Sequence, residues 1–365
     1  MIPLFDRYPA LCEKLPHTAL ADLPTPVEPM TELGRALGVK QLYVKRDDRS
    51  GGRYGGNKVR KLEFLLGRAV QERRKEVMTF GGAGSNHALA TSLYAQHLGL
   101  GSIAILVPQP NARSVRRNLL MQLHAGAELH YYTDGRQAAR GSWQQRALHT
   151  LRRGKVPFTI PAGGSSALGA CGFVNAALEL AQQVESGLLP APDLLYVASG
   201  TMGTCVGLTL GLRAAGLLTR VMAVAVTKPP YTSPQRGRDL FCATNTLLHR
   251  AAPSFPEFPF PEECFEHREG FLGEAYGLYT PGAVRLMAQV KAHEDLTLEG
   301  TYTGKALAAL AADAASGALE GKTVLFWDTY NSRDFSDDIA GRDYHALPPG
   351  LHHYFEEPVQ PLDRG

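Results

Sequence analysis

The chain has 365 residues, 44% of them apolar, and a formal net charge of +3. That length suits two domains of roughly 150 residues each, and the composition is that of a globular chain. A charge so small argues against nucleic acid or an acidic membrane as partner, and no uncharged apolar run approaches the roughly 18 residues of a membrane span.

Short strand-like runs alternate with helical patterns. Residues 42–45 read as a strand, 57–72 as a helix, 77–80 as a strand and 86–98 as a helix. A strand over 103–107, a helix over 112–125 and a strand over 129–132 follow. Farther on come a strand at 194–197, a helix at 204–216, and strands at 221–226 and 324–327. This β-then-α order predicts an α/β fold with two open, twisted, mainly parallel sheets flanked by helices. The proline-rich stretch 253–261 reads as a surface excursion, and the tail from Leu347 as irregular. Met1–Asp6 has neither a basic region nor a long apolar core, so no signal peptide is expected. Cys12, Cys171, Cys205, Cys242 and Cys264 are scattered, without a Cys-x-x-Cys pair. This predicts a reduced, cytoplasmic setting, no disulfide framework and no metal site.

Four segments carry chemistry. Gly55-Gly56-Asn57-Lys58 opens a helix, and glycines allow close approach of the backbone to a ligand. A pocketed lysine with a lowered pKa forms a Schiff base with an aldehyde, the use that pyridoxal phosphate makes of lysine. Gly81–His87 follows a strand and opens the next helix. Its backbone N–H groups suit a carboxylate; Asn86 suits a phenolate-like oxygen; Ser85 suits substrate contact or simple N-capping. A dinucleotide fingerprint fits less well, because His87 stands where its third glycine belongs and no acidic residue ends the following strand.

Ser199-Gly200-Thr201-Met202-Gly203-Thr204 also joins a strand to a helix, and its small residues and hydroxyls suit a phosphate. It lacks the Gly-Lys-Ser/Thr of a P-loop and the Gly-x-Ser-x-Gly of a hydrolase elbow. In the fourth segment, Thr301–Lys305, Tyr302 can move protons if its pKa is lowered, and Thr303 can hydrogen-bond a pyridine nitrogen. Lys305 is a rival Schiff-base lysine.

In this order, these segments resemble the D-cysteine desulfhydrase / 1-aminocyclopropane-1-carboxylate (ACC) deaminase family of pyridoxal-phosphate enzymes, which has fold type II, like tryptophan synthase β. Lys45-Arg46-Asp47-Asp48, the Gly-Gly-Asn-Lys-x-Arg-Lys run and Ile160–Gly169 carry the likeness most specifically. The resemblance implies that Lys58 binds the cofactor covalently and then moves the α-proton. It implies that Asn86 holds the ring oxygen, and that Ser199 to Thr204, with Lys61, hold the phosphate. Ser85, Asn86, His87, Gly164 and Thr329 would receive the substrate, with Tyr302 and Tyr276 facing it. Residues 1–57 and 165–365 would form a large cofactor-binding domain, 58–164 a small mobile one, and the enzyme a homodimer.

Thr303 and Thr329 place the chain on the desulfhydrase side, since ACC deaminases carry glutamate and leucine there. The implied reaction is elimination from a β-substituted amino acid to pyruvate and ammonia. ACC deamination, loss of a sulfonate group and β-replacement are the alternatives. The run Trp327-Asp328-Thr329-Tyr330-Asn331-Ser332 departs from the desulfhydrase pattern of two glycines after the threonine, as does Gly84 from the usual glutamine.

Overall fold

The computed structural model describes residues 2–364. Its strands are β1 (Val27–Pro29), β2 (Gln41–Lys45), β3 (Glu76–Gly82), β4 (Gly101–Val107), β5 (Glu128–Tyr131), β6 (Phe158–Ile160), β7 (Leu194–Ser199), β8 (Arg220–Ala225), β9 (Phe265–Arg268) and β10 (Thr323–Trp327). They form a six-stranded sheet, ordered β1-β2-β10-β7-β8-β9, and a four-stranded sheet, ordered β5-β4-β3-β6. Only the β1–β2 pair is antiparallel among these neighbours. Helices cover both faces, so β10 is buried along its whole length and shows no alternation of polar and apolar residues.

The four expected helices form within one residue of the expected bounds, as Asn57–Gln71, Asn86–His97, Arg113–His124 and Gly203–Ala215. The sequence patterns miss β1, β6 and β9, which are three or four residues long. They also miss the helix Gly135–Arg153, which buries only Ala138, Gly141, Ser142 and His149 and so has little apolar periodicity.

One expectation needs correction. The prolines of 253–261 do break regular structure, but Phe255 is fully buried with its ring 4.9 Å from that of Tyr8. The tail is irregular yet packed: Leu351 and Tyr354 are buried, and the Tyr354 hydroxyl both accepts from Gln109 N (3.0 Å) and donates to Gln109 O (3.1 Å).

The helix Asn57–Gln71 touches both halves of the structure. Phe64 joins the core beneath the six-stranded sheet; Leu62, Leu65 and Leu66 join the core beside the four-stranded one. Arg60 fixes it to β2's end through a buried ion network. Its guanidinium donates to Asp47 (2.7 Å) and Glu179 (3.0 Å), while Lys45 Nζ donates to Glu179 at 2.5 Å. Burial alone would raise the Glu179 carboxyl, but Arg60 and Lys45 bring it down to about 2. The Lys45-Arg46-Asp47-Asp48 motif is thus structural in part, holding the helix that carries Lys58.

Gly55 and Gly56 serve the fold in a way the sequence reading misassigned. A Cβ at Gly55 would strike the Asp48 carbonyl. At Gly56, with φ +86°, it would lie 2.6 Å from Thr329 O and 2.8 Å from Tyr330 O. The close approach permitted here is between two parts of the chain.

Candidate active site

A cavity of about 650 Å³ opens where the C-terminal ends of β3, β4 and β7 face one another. That is where open α/β sheets place ligands. Lys58, in the first turn of its helix, lines it. Burial lowers the Lys58 amine to about 8, against the opposing pull of Glu299. Its Nζ lies 5.9 Å from the centre of the Tyr302 ring.

The segment Ser199 to Thr204 forms one wall and ends at the N-terminus of the helix Gly203–Ala215. Met202 adopts φ +70°, rare for a residue with a side chain, and this turn sets the direction of the following amides. Its sulfur accepts from Ser199 Oγ (3.1 Å) and Thr232 Oγ1 (2.9 Å). Lys61 Nζ donates to Gly163 O (3.1 Å) and Ser165 Oγ (3.3 Å). It would lie 3.0 Å from a Cβ at Gly203, so the amino group sits beside the first residue of that helix. Burial and the nearby Lys58 push the Lys61 pKa well down. His87 is buried beside it. Neither His87 ring nitrogen makes a hydrogen bond, although the Pro161 carbonyl is near enough to act on the ring. Burial, then Lys58 and Lys61, hold that imidazole neutral.

Ser85 is the N-cap of its helix and also lines the cavity. Its Oγ accepts from Ala88 N at 3.1 Å, capping the helix, and still lines the cavity with its proton unspent. Asn86 is oriented from behind: Asn118 Nδ2 donates to Asn86 Oδ1 at 2.9 Å and to Gly84 O at 2.9 Å. The Asn86 amide nitrogen is therefore the end left to donate.

Tyr302 and Tyr276 share a hydrogen bond of 2.6 Å between their hydroxyls. Burial, reinforced by Tyr276, raises Tyr302 well above the usual phenol range, and burial pushes Tyr276 up to about 12. The condition attached to Tyr302 in the sequence, a lowered pKa, is not met: both phenols keep their protons. Thr303 Oγ1 accepts from Glu299 N (2.9 Å) and lies 3.3 Å from Glu299 O. The Glu299 carboxylate, also in the wall, accepts from Tyr302 N (2.5 Å) and Thr301 N (2.9 Å).

Thr329 and Tyr330 complete the lining. The Tyr330 hydroxyl accepts from Arg117 Nη2 at 2.8 Å, so its own proton remains to donate. Gly164 stands behind the wall against His87 and Lys61, and Gly163 takes the cavity face. Lys305 is outside the lining, its Nζ donating to Leu272 O at 2.7 Å.

Several residues here went unselected in the sequence. Ser165 Oγ accepts from Gly203 N (3.2 Å) and pairs with Thr201 Oγ1 (2.7 Å). Asn57 Nδ2 donates to Thr204 Oγ1 (3.0 Å), and Thr227 Oγ1 donates to Gly200 O (2.6 Å). Asn57 and Ser165 sit inside the quoted motifs and were within reach; Asn118, Thr227 and Glu299 carry no local signal.

This lining fits pyridoxal phosphate. A phosphate would answer the Lys61 amino group, the free amides of the Ser199–Thr204 loop and the one N–H of the neutral His87 ring; the Asn86 amide would answer a ring oxygen; and the Lys58 amine would answer the aldehyde.

The family described as pyridoxal-phosphate dependent enzyme matches residues 18–329. The chain is 33% identical over 308 residues to the D-cysteine desulfhydrase of Klebsiella pneumoniae, covering 81% of this chain and 88% of that one. It is 33% identical over 344 residues to the nocardicin C-9' epimerase of Nocardia uniformis subsp. tsuyamanensis, covering 94% and 99%. A solved structure of an ACC deaminase homologue superposes with a TM-score of 0.76 at 30% identity, over 92% of this chain and 98% of that one. The buried lysine and the small-residue loop of the cavity agree with these likenesses: the chain belongs to the pyridoxal-phosphate-dependent enzymes of fold type II, in the family that includes D-cysteine desulfhydrase and ACC deaminase.

Proposed function

We propose that the chain is a lyase that eliminates the β-substituent of an amino acid, D-cysteine or a close analogue. With one water consumed, the products are pyruvate, ammonia and the leaving group, hydrogen sulfide from cysteine. The observation that carries this reading is the Lys58 amine, lowered to about 8, in the wall of the cavity that also holds the cradle. When bound, pyridoxal phosphate supplies an electron sink for charge left at Cα.

The chain's residues do the rest. The Ser199–Thr204 amides, Lys61 and His87 would hold the phosphate, and Asn86 would orient the ring. Ser85 and the adjacent amides would receive the substrate carboxylate. Lys58 Nζ would take the α-proton. Tyr302, kept protonated by burial, can give a proton to the departing group. Thr303 offers a neutral hydroxyl where ACC deaminases carry a carboxylate, and a milder sink suffices for a good leaving group. Residues 58–164 would close on the substrate, and the enzyme would work as a cytoplasmic homodimer.

The test is a screen of D- and L-amino acids bearing β-leaving groups, with cofactor added, following 2-oxoacid release. Pyruvate from such substrates is expected. Release of 2-oxobutyrate from ACC alone would overturn the reading for the deaminase, sulfite from cysteate would make the leaving group a sulfonate, and thiol adducts without pyruvate would make the enzyme a replacement transferase. The epimerase relative favours a second reading, inversion at Cα, which chiral chromatography of the same mixtures separates from elimination.

A further inference from the structure

Outside the cavity lining, at the edge of the four-stranded sheet, three side chains from two elements converge. Glu128 and His130 lie two residues apart on the edge strand β5, and so on one face of it. His149 comes from the helix Gly135–Arg153. Glu128 Oε1 lies 2.8 Å from His130 Nε2 and 3.3 Å from His149 Nε2, and the three ligand atoms all fall within 4.8 Å of one another. None of the three lines the cavity, although Ile105, the strand partner of His130, and Ser142, two turns before His149, do.

The second layer around His149 is also built. Its Nδ1 faces Glu76 Oε2 at 3.0 Å, and the other Glu76 oxygen accepts from Arg153 Nε at 3.0 Å. Glu76 is buried, so its position is set by the fold. A carboxylate that accepts from Nδ1–H fixes the ring's orientation and directs the Nε2 lone pair at Glu128 and His130. This is the arrangement by which proteins prepare a histidine for a metal. Two imidazole nitrogens, one carboxylate oxygen and a solvent-facing fourth position match a four-coordinate divalent ion of the zinc type. Exposure decreases from Glu128 through His130 to His149, so an ion could enter from solvent and meet the oriented buried ligand last.

We propose that Glu128, His130 and His149 bind one divalent transition-metal ion, zinc best matching the donors, with Glu76 as the positioning residue. Such an ion would pin the edge strand β5 to the helix that covers it.

The holoenzyme, stripped with a chelator and dialysed, is titrated with zinc against a chromophoric chelator. One equivalent is expected to be withheld by the wild type. His130→Ala, a change at a half-buried surface position, should abolish that equivalent, and Glu128→Gln should weaken it at least tenfold. Glu76→Gln should weaken it roughly 10- to 100-fold. Zinc should raise the midpoint of thermal unfolding of the wild type but not of His130→Ala. The cofactor's absorbance and turnover should be unchanged in these variants. If the wild type withholds no zinc, or His130→Ala withholds as much as the wild type, the three residues are an ion-pair cluster only and the proposal fails.

Discussion

The hydroxyls of Tyr276 and Tyr302 lie 2.6 Å apart, with the Tyr302 ring within 5.9 Å of Lys58 Nζ. Only one phenol can donate to the other, and burial keeps both protonated. Tyr302→Phe should therefore lower kcat by 10²-fold or more, the scale of a lost proton donor. Tyr276→Phe should cost less, because it leaves the Tyr302 hydroxyl in place. Steady-state kinetics of the two variants, at unchanged cofactor occupancy, makes the comparison. A larger loss in Tyr276→Phe would reverse the assignment.

Lys58 should show its lowered pKa when the cofactor is captured. With a pKa of about 8, roughly a quarter of the amine is unprotonated at pH 7.5, against about one part in a thousand for an ordinary lysine. The initial rate at which cofactor-free enzyme takes up pyridoxal phosphate should rise with pH below about 8 and level off above it. A rate still climbing at pH 10 would show an unperturbed lysine. Lys58→Ala should retain no borohydride-reducible cofactor; retention would move the attachment elsewhere.

Asn118 acts through Asn86. Asn118→Ala releases Asn86 Oδ1, so the amide can turn away from the cavity. Loss of one directed hydrogen bond corresponds to about 1.4 kcal/mol, or tenfold weaker cofactor affinity. In a double-mutant cycle with Asn86→Ala the two losses should not add, since both remove the same contact. Additive losses, read by fluorescence titration, would separate the two residues.

The Arg60 network should dominate stability near the site. Arg60→Met leaves Asp47 and Glu179 buried and short of a partner, at a cost of about 3–5 kcal/mol in urea unfolding. For acid, the sign follows from Glu179, whose carboxyl is held at about 2 when folded and titrates near 4.5 otherwise. Its contribution is fully present above pH 4.5 and is lost as the pH falls from there towards 2. Wild-type stability should drop across that window, and Glu179→Gln should flatten the drop. An equally steep fall in the variant would place the acid sensitivity elsewhere.

Much of the site was legible because its chemistry is written in contiguous loops. Lys58, Ser85, Asn86 and the run Ser199 to Thr204 each sit at the start of a helix, where spacing and residue type reveal them. The alternation of β-type and helical runs was legible for the same reason. What escaped depends on contacts across long stretches of chain. Glu299 and Asn118 look like ordinary polar residues until the fold brings them to the wall and behind it. Gly55 and Gly56 have the right composition for ligand approach, yet the nearby carbonyls belong to Asp48, Thr329 and Tyr330. The raised tyrosine pKa values were out of reach because they come first from burial, a property of the whole structure. His130 and His149 lie 19 positions apart, outside any short ligand spacing.

The double seating of the Asn57–Gln71 helix bears on how substrate could be enclosed. One flank is bolted to β2 by Arg60; the other forms the floor of the four-stranded sheet. Any swing of that sheet must take this helix as its axle. Lys58, at the axle's anchored end, would travel least, while Ser85 and Asn86, out on the lever arm, would sweep towards it. In such a swing the Lys58 amine would keep its register to the Ser199–Thr204 loop while the wall that carries Ser85 and Asn86 moved.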